Sequence, residues 1–171
     1  AGDGPLRHLL PGVSDGGESD RPFRPRGDLT LRELSLTNRN ELGGLNTRTI
    51  RVSEDDVRLI VDKCVSDEDG QSFIRLDNPG CKVYITNSTI SRIGTPDNVD
   101  NGRIIDDRGN DVDTVVMQNN TFINISQRIY RDGGGVKNYV LVDQNTMNNI
   151  GVFCGVFGEV VDFTFRDNLI I

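Results

Sequence analysis

Val115-Val-Met-Gln-Asn-Asn-Thr-Phe122 is the stretch of sequence that decides the fold. Its first and third positions are apolar, while its second and fourth positions vary between apolar and polar residues. Two asparagines, a small residue and an apolar residue follow. Alternation with a period of two indicates a strand that has one buried face. Two adjacent Asn residues favour a bend of the backbone. The stretch therefore predicts a strand, a corner without a hairpin, and a second strand.

The same pattern recurs along the chain. It begins at Leu29 (weakly), Leu59, Val83, Val115, Val140 and Phe163, at intervals of 30, 24, 32, 25 and 23 residues. Self-similarity at such a period is the signature of a repeat architecture. We predict about six coils of 23 to 25 residues, with two longer excursions through residues 38–46 and 92–102. A solenoid accepts such loops cheaply, and loops on a rigid scaffold often bind ligands, so both interpretations stay open.

The alignment predicts which side chains stack on one another. The second corner position reads Cys64, Ser88, Asn120, Asn145 and Asn168. Asn tolerates the left-handed region, and its amide can bond to the same position one coil away, so we expect an asparagine ladder. The inward columns are predicted to be Ile85, Met117, Val142 and Phe165, then Ile90, Phe122, Met147 and Ile170, then Ile93, Ile125 and Ile150.

A further short strand precedes each repeat. These strands are Thr49–Val52, Phe73–Leu76, Arg103–Ile105, Arg128–Arg131 and Val152–Cys154. Three short strands per coil predict an all-β triangular solenoid. A leucine-rich repeat would need its own leucine pattern and a helix, and a sandwich would not keep one corner motif at one spacing.

The Val-x-Ile-x-Asn-Asn-Thr-Phe pattern resembles the second strand, the asparagine corner and the third strand of the pectin-lyase-like right-handed parallel β-helix superfamily. The resemblance covers residues 28–171 and leaves residues 1–27 as an irregular segment or a remnant of a preceding coil. That superfamily includes polysaccharide lyases, hydrolases and bacterial surface proteins. The resemblance implies an extracellular or cell-surface location and a polysaccharide partner, although this chain shows no secretion signal.

Composition and charge restrict the possible functions. The net charge is -7, and no basic stripe is evident in the sequence, which argues against nucleic-acid binding. No window is apolar enough to span a membrane as a helix. The three cysteines form no CxxC pair, so we expect mainly free, buried thiols. The chain ends on an apolar strand pattern, which suggests a fragment of a longer protein or further coils stacked on that edge.

The resemblance also suggests where a substrate would bind. In those enzymes the substrate lies along the outer face of the first strand of each coil. The corresponding substrate-binding candidates are Arg51, Arg75, Asp77 and Asp132, and the catalytic candidates are Asp106, Arg108 and Arg131. Asp106, Asp107 and Asp111 are the candidate Ca²⁺ ligands, because carboxylate oxygens suit that ion. In the lyases of that superfamily, Ca²⁺ held against a uronate acidifies its α-proton, and an Arg or Lys removes the proton.

Two functions follow from these expectations. The first is a secreted, carbohydrate-associated protein that acts as a Ca²⁺-dependent lyase, or another glycan-active enzyme, on an acidic polysaccharide. The second is a non-catalytic surface, spacer or adhesion module, in which the same charges neutralise one another on a solvated face. Whether the protein is an enzyme stays open at this point.

Overall fold

The computed structural model describes residues 7–9 (backbone only), 23–39, 44–94, 101–153 and 158–171. Within these residues the chain is all-β and its strands pair in parallel. The strands are β1 (Arg7–Leu9), β2 (Leu29–Arg32), β3 (Leu34–Thr37), β4 (Arg48–Val52), β5 (Arg58–Asp62), β6 (Val65–Asp69), β7 (Ser72–Leu76), β8 (Cys81–Thr86), β9 (Thr89–Ile93), β10 (Arg103–Asp106), β11 (Val112–Gln118), β12 (Thr121–Arg131), β13 (Val136–Asp143), β14 (Thr146–Val152), β15 (Glu159–Arg166) and β16 (Leu169–Ile170).

The strands form three parallel ladders, which we call A, B and C. Ladder A is a six-stranded sheet with the order β15-β13-β11-β8-β5-β2. Ladders B and C share one ten-stranded sheet, because the long strand β12 belongs to both. Ladder B runs through β1, β3, β6, β9, the first half of β12, β14 and β16. Ladder C runs through β4, β7, β10 and the second half of β12.

Each ladder pairs one repeat with the next. Along the chain a strand of ladder A is followed by one of ladder B and, in most repeats, by one of ladder C, before the chain returns to ladder A. Parallel strands cannot be joined by hairpins, so the chain has to pass through the other ladders before it pairs again. This strand order is compatible with the predicted solenoid.

The inward columns stack as predicted. Met117 pairs with Ile85 and Val142, and all three are buried. On ladder B, Phe122 pairs with Ile90 and Met147. One coil cannot remove these side chains from water by itself, so the stack of coils is the stabilising unit.

The asparagine ladder is confirmed. The backbone N–H of Asn120 donates to Asn145 Oδ1 at 3.0 Å, and the N–H of Asn145 donates to Asn168 Oδ1 at 2.9 Å. Ser88 continues the row, since its N–H donates to Asn120 Oδ1 at 2.9 Å. Cys64 ends it, with its N–H donating to Ser88 Oγ at 3.0 Å.

The conformational reason given for asparagine was wrong. The left-handed residues stand one position earlier, and they are Glu33, Lys63, Asn87, Asn119, Gln144 and Asp167, with φ between 52° and 55°. The ladder asparagines are selected instead by hydrogen bonding, because an amide carries both an acceptor and donors. Glu, Lys and Gln also occupy the left-handed position, so this backbone conformation is imposed by the surrounding coils more than by the type of residue.

The last coil leaves its inward column open. Phe163, Phe165 and Ile170 continue buried columns, yet they are 45%, 39% and 55% exposed. The stacking of further coils on this edge stays a prediction. At the other end β1 pairs with β3, from Arg7 opposite Leu34 to Leu9 opposite Leu36.

The cysteines that the structure describes are free thiols. Cys64 and Cys81 are both buried and unpaired, whereas Cys154 lies outside the described residues. Burial raises the pKa of Cys81 to about 11, so this thiol is neutral at physiological pH. In the part of the chain that the structure covers, no helix is long and apolar enough to cross a membrane.

Candidate functional site

Ladder C carries a concentration of arginines, which we call the arginine face. Two arginines lie on β4, one on β7, one on β10 and two on the second half of β12, namely Arg48, Arg51, Arg75, Arg103, Arg128 and Arg131. Asp106 is the one carboxylate on these strand segments. Four of these arginines are partly exposed (Arg51, Arg75, Arg128 and Arg131), whereas Arg48 and Arg103 are buried. An acidic protein therefore carries a cluster of arginines on one of its ladders.

The arginine face is ordered by strand register into two rows. Arg51 stands beside Arg75, Arg75 beside Asp106, and Asp106 beside Arg131. The second row contains Arg48, Ser72, Arg103 and Arg128. Neighbouring strands lie about 4.8 Å apart, so the residues of each row repeat at this spacing along the direction in which the coils stack.

Asp77 binds the arginines at one end of the face. Its Oδ1 accepts a hydrogen bond from Arg75 Nε at 2.5 Å, and its Oδ2 accepts one from Arg51. Burial raises the pKa of Asp77, but the bonds from Arg75 and Arg51 outweigh burial, and the pKa is lowered. The sequence predicted only that these three residues share one outward face, and in the structure Asp77 is in contact with both arginines.

Asp106 occupies the same role in the next coils. Its carboxylate is buried and lies 3.1 Å from Arg131 Nη1 and 3.7 Å from Arg103 Nη1. The pKa of Arg103 is lowered, mainly by burial, against the opposing effect of Asp106. The neighbouring charges of Arg131, Arg128 and Arg108 also lower it. Arg131 keeps 31% of its side chain exposed and can reach a ligand from this position.

Arg108 and Asp111 lie on the turn that follows β10, and both are exposed. Arg108 adopts a left-handed conformation, with φ of 59°. Asp111 Oδ1 accepts the backbone N–H of Val136 at 2.7 Å, which ties this turn to the start of β13. The predicted catalytic residue Arg108 thus stands at the edge of the arginine face.

Asp107 and Asp132 turn away from the surface and hold Lys137. The Lys137 ammonium lies 2.9 Å from Asp107 Oδ2 and 2.6 Å from Asp132 Oδ1, and all three side chains are buried. The ammonium also donates to the carbonyl oxygens of Gly134 and Gly135. Tyr130 donates its hydroxyl to Asp107 Oδ2 at 2.9 Å. The sequence analysis assigned no role to Lys137 or Tyr130.

The predicted Ca²⁺ ligands have three different sets of partners. Asp106 binds arginine, Asp107 binds Lys137, and Asp111 binds a backbone amide. Across the described ranges, no group of three or more His, Cys, Asp or Glu side chains is arranged to hold a metal ion. A Ca²⁺ site at these carboxylates stays a prediction, and it would require them to exchange protein cations for the metal.

Asp69 is a buried carboxyl group that the sequence analysis missed. It lies at the end of β6 beside Ile93, in the column that continues with Ile125 and Ile150. Thr49 Oγ1 donates to both of its oxygens at 2.8 Å, and Asn38 Nδ2 donates to Oδ1. Burial raises the pKa of Asp69 to about 8. An Asp in a column of isoleucines was the signal that could have revealed it.

We expect Asp69 to make the protein less stable as the pH rises from about 4 to about 8. Its pKa in the folded state is above that of an unfolded Asp, so folding takes up a proton in this range and its stabilising contribution is lost on deprotonation. Asp69→Asn should remove a slope of at most about 1.4 kcal/mol per pH unit. Urea unfolding of both proteins at pH 5 and pH 8 measures this difference. Equal pH dependence in the two proteins would rule out the buried titration.

A groove lies beside ladder B, where its strands bend. It encloses about 580 Å³ and is lined by Leu45, Glu68, Arg92, Gly94, Asn124, Ile125, Ser126, Asn149, Ile150 and Gly151. Four of these residues (Glu68, Arg92, Asn124 and Asn149) share a left-handed backbone conformation. Asn149 Nδ2 donates to Asn124 Oδ1 at 2.8 Å, so polar groups repeat from coil to coil along the groove.

Comparison with protein-family models, with curated proteins and with solved structures found no match to this chain. The arguments about function therefore depend on its own residues. The predicted candidates separate into a surface group on the arginine face and a buried group around Lys137. Arg48, Arg103 and Arg128, which complete the arginine face, were not among the predicted site residues. Arg48 and Arg103 begin their strands and Arg128 is in register with Arg103, a regularity that becomes visible once the coils are aligned.

Proposed function

We propose that this chain is a stretch of right-handed parallel β-helix of the pectin-lyase-like kind, that it acts outside the cell, and that its arginine face binds an acidic polysaccharide. The observation that carries the proposal is the cluster of arginines on ladder C, four of them partly exposed, in a chain whose net charge is -7. Guanidinium groups bind carboxylates through two parallel hydrogen bonds, which suits the uronate groups of such a glycan.

The spacing of the charges supports an extended ligand. Arg51, Arg75 and Arg131 lie in one row that crosses four coils, with Asp106 between the last two. A linear polyanion laid along the stacking direction meets a guanidinium group at several successive coils. Repetition of weak contacts along one chain raises the total affinity, since later contacts form at a high effective concentration.

The pairing of charges favours binding without cleavage. Asp77 and Asp106 already neutralise part of the arginine face, and Asp107 holds Lys137. This pairing also favours the second candidate function, a non-catalytic surface, spacer or adhesion module. Cleavage by a Ca²⁺-dependent lyase mechanism, with Asp106, Arg108 and Arg131 as the catalytic group, is a separate outcome of the same experiment.

We expect Arg51→Gln combined with Arg128→Gln to weaken binding to an acidic polysaccharide by about tenfold or more, because each loss removes a charge-assisted hydrogen bond. Arg51 is chosen because its loss leaves Asp77 paired with Arg75. Arg128 is chosen because no ion pair of this residue is seen within the described ranges. Binding is measured by titration with uronate-rich glycans at low and high salt, with and without Ca²⁺. The affinity should fall as salt is added.

The matched control is Arg58→Gln combined with Arg166→Gln, which removes the same charge from ladder A. It should leave binding nearly unchanged. An equal loss in the control, or no binding to any acidic glycan, would contradict the proposal and leave the spacer function. Appearance of unsaturated uronate absorbance would instead show lyase activity.

A further inference from the structure

The surroundings of Lys137 differ from those of an ordinary ion pair. The Lys137 and Asp107 side chains are both 0% exposed, and that of Asp132 is 1% exposed. Two carboxyl groups share one ammonium group in this enclosure. Burying an unbalanced negative charge is costly, so one carboxyl group is expected to carry a proton. Burial raises the pKa of Asp107, whereas the Lys137 bond and backbone N–H groups lower that of Asp132 against the opposing effect of its burial.

The Asp107 carboxyl group has the polar contacts that an acyl-transfer reaction requires. Its Oδ1 accepts the backbone N–H of Gly109 at 2.9 Å and that of Gly133 at 2.7 Å. Two such donors stabilise the oxyanion of a tetrahedral intermediate. The Tyr130 hydroxyl lies 2.9 Å from Oδ2, where it can supply a proton to a leaving oxygen.

We propose that Lys137 Nζ and the Asp107 side-chain carboxyl group form an amide bond, which cross-links two successive coils without any added reagent. Asp132 takes a proton from the Lys137 ammonium, and the neutral amine attacks Cγ of the protonated Asp107. The N–C bond forms, the C–Oδ2 bond breaks, and the oxygen leaves as one water molecule. No atom is oxidised or reduced. The proton released by the ammonium stays on Asp132.

The proposed bond would join the turn after β10 to strand β13. These segments belong to neighbouring coils, since β11, which follows the turn, pairs directly with β13. The geometry holds the two reacting groups in contact before reaction, which removes the entropic barrier of bringing them together. The cross-link would prevent these coils from separating even when their hydrogen bonds open.

Intact-mass measurement of the purified, denatured chain tests the proposal. We expect a mass lower than that of the sequence by one water molecule. Trypsin should then release residues 104–108 joined to residues 132–166, because an acylated Lys137 is no longer cleaved. Fragmentation of this peptide should locate the link at Asp107. A full-length mass equal to that of the sequence would overturn the proposal.

Two variants separate the cross-link from other losses of water. Lys137→Arg keeps a cation at the site but cannot form the amide, so its mass should equal that calculated from its sequence. Asp132-Gly133 can lose water by cyclising to a succinimide, and this product would persist in Lys137→Arg and disappear on mild alkaline treatment. Water loss that survives Lys137→Arg would therefore count against the amide. Asp132→Asn should slow or abolish the cross-link if Asp132 is the base.

Discussion

We expect Asn145→Leu to lower the free energy of unfolding by about 3 to 5 kcal/mol, because it leaves several buried backbone and amide groups without partners. Asn145 Oδ1 accepts the N–H and the side-chain amide of Asn120, both at 3.0 Å. Its Nδ2 donates to the carbonyl oxygen of Met117 at 2.9 Å and to Asn168 Oδ1 at 2.9 Å. Leucine has a similar volume but offers neither acceptor nor donor.

The measurement is equilibrium unfolding in urea, with Asn148→Leu as the matched control. Asn148 lies three residues further along the chain, on β14, and is exposed, so the same substitution there should change stability by no more than about 0.5 kcal/mol. The ladder argument fails if the two variants unfold at the same urea concentration. A further result would support it: Asn120→Leu together with Asn145→Leu should cost less than the sum of the single changes, since the two residues share a bond.

The second large effect is expected at Lys137. Lys137→Met should cost about 3 to 5 kcal/mol at neutral pH, because it leaves Asp107 and Asp132 buried without a cation. The loss should become smaller as the pH falls, since protonated carboxyl groups are less costly to bury. Where the proposed amide has formed, Lys137 carries no charge, and Lys137→Met then removes the cross-link instead of an ammonium group. Lys137→Arg, which restores a charge without an amide, distinguishes the two contributions.

Thermal unfolding at several pH values measures this effect, and Lys82→Met is the control. Lys82 is 46% exposed and pairs with Asp113 at 3.2 Å on the outer face of ladder A. An exposed pair of this kind contributes at most about 1 kcal/mol. Similar small losses in both variants would show that the buried carboxyl groups find other partners or remain neutral.

The two variants probe different parts of each coil. The asparagine ladder stabilises the corner between ladders A and B. The Lys137 cluster stabilises the turns between ladders C and A, where Gly109 and Gly133 lie close together: an added Cβ on Gly133 would meet the Gly109 nitrogen at 2.5 Å. Both devices bind one repeat to the next, and a stack of repeats obtains much of its stability from contacts between neighbours.

The strand periodicity, the corner motif and the order of the inward columns were determined by the sequence alone. Residues such as Met117 and Phe122 occupy an apolar position that recurs in each repeat, so local pattern and tertiary contact agree. The same regularity predicted the hydrogen-bonded row through Asn120 and Asn145. It also brought Arg75 and Asp77 to one face, because residues two positions apart on an extended segment point to the same side.

Only the tertiary structure decided how the charged residues are partnered. Adjacent residues Asp106 and Asp107 look equivalent in sequence and are both buried, yet Asp106 binds the partly exposed Arg131 and Asp107 binds the buried Lys137. Their partners come from the next coil, about 25 or 30 residues away. Adjacent residues on an extended chain point to opposite sides of the backbone, so the two carboxyl groups meet different partners. The sequence therefore determined which residues stack, and the packing of turn on turn determined which carboxyl groups pair with arginine and which lie beside a buried amine.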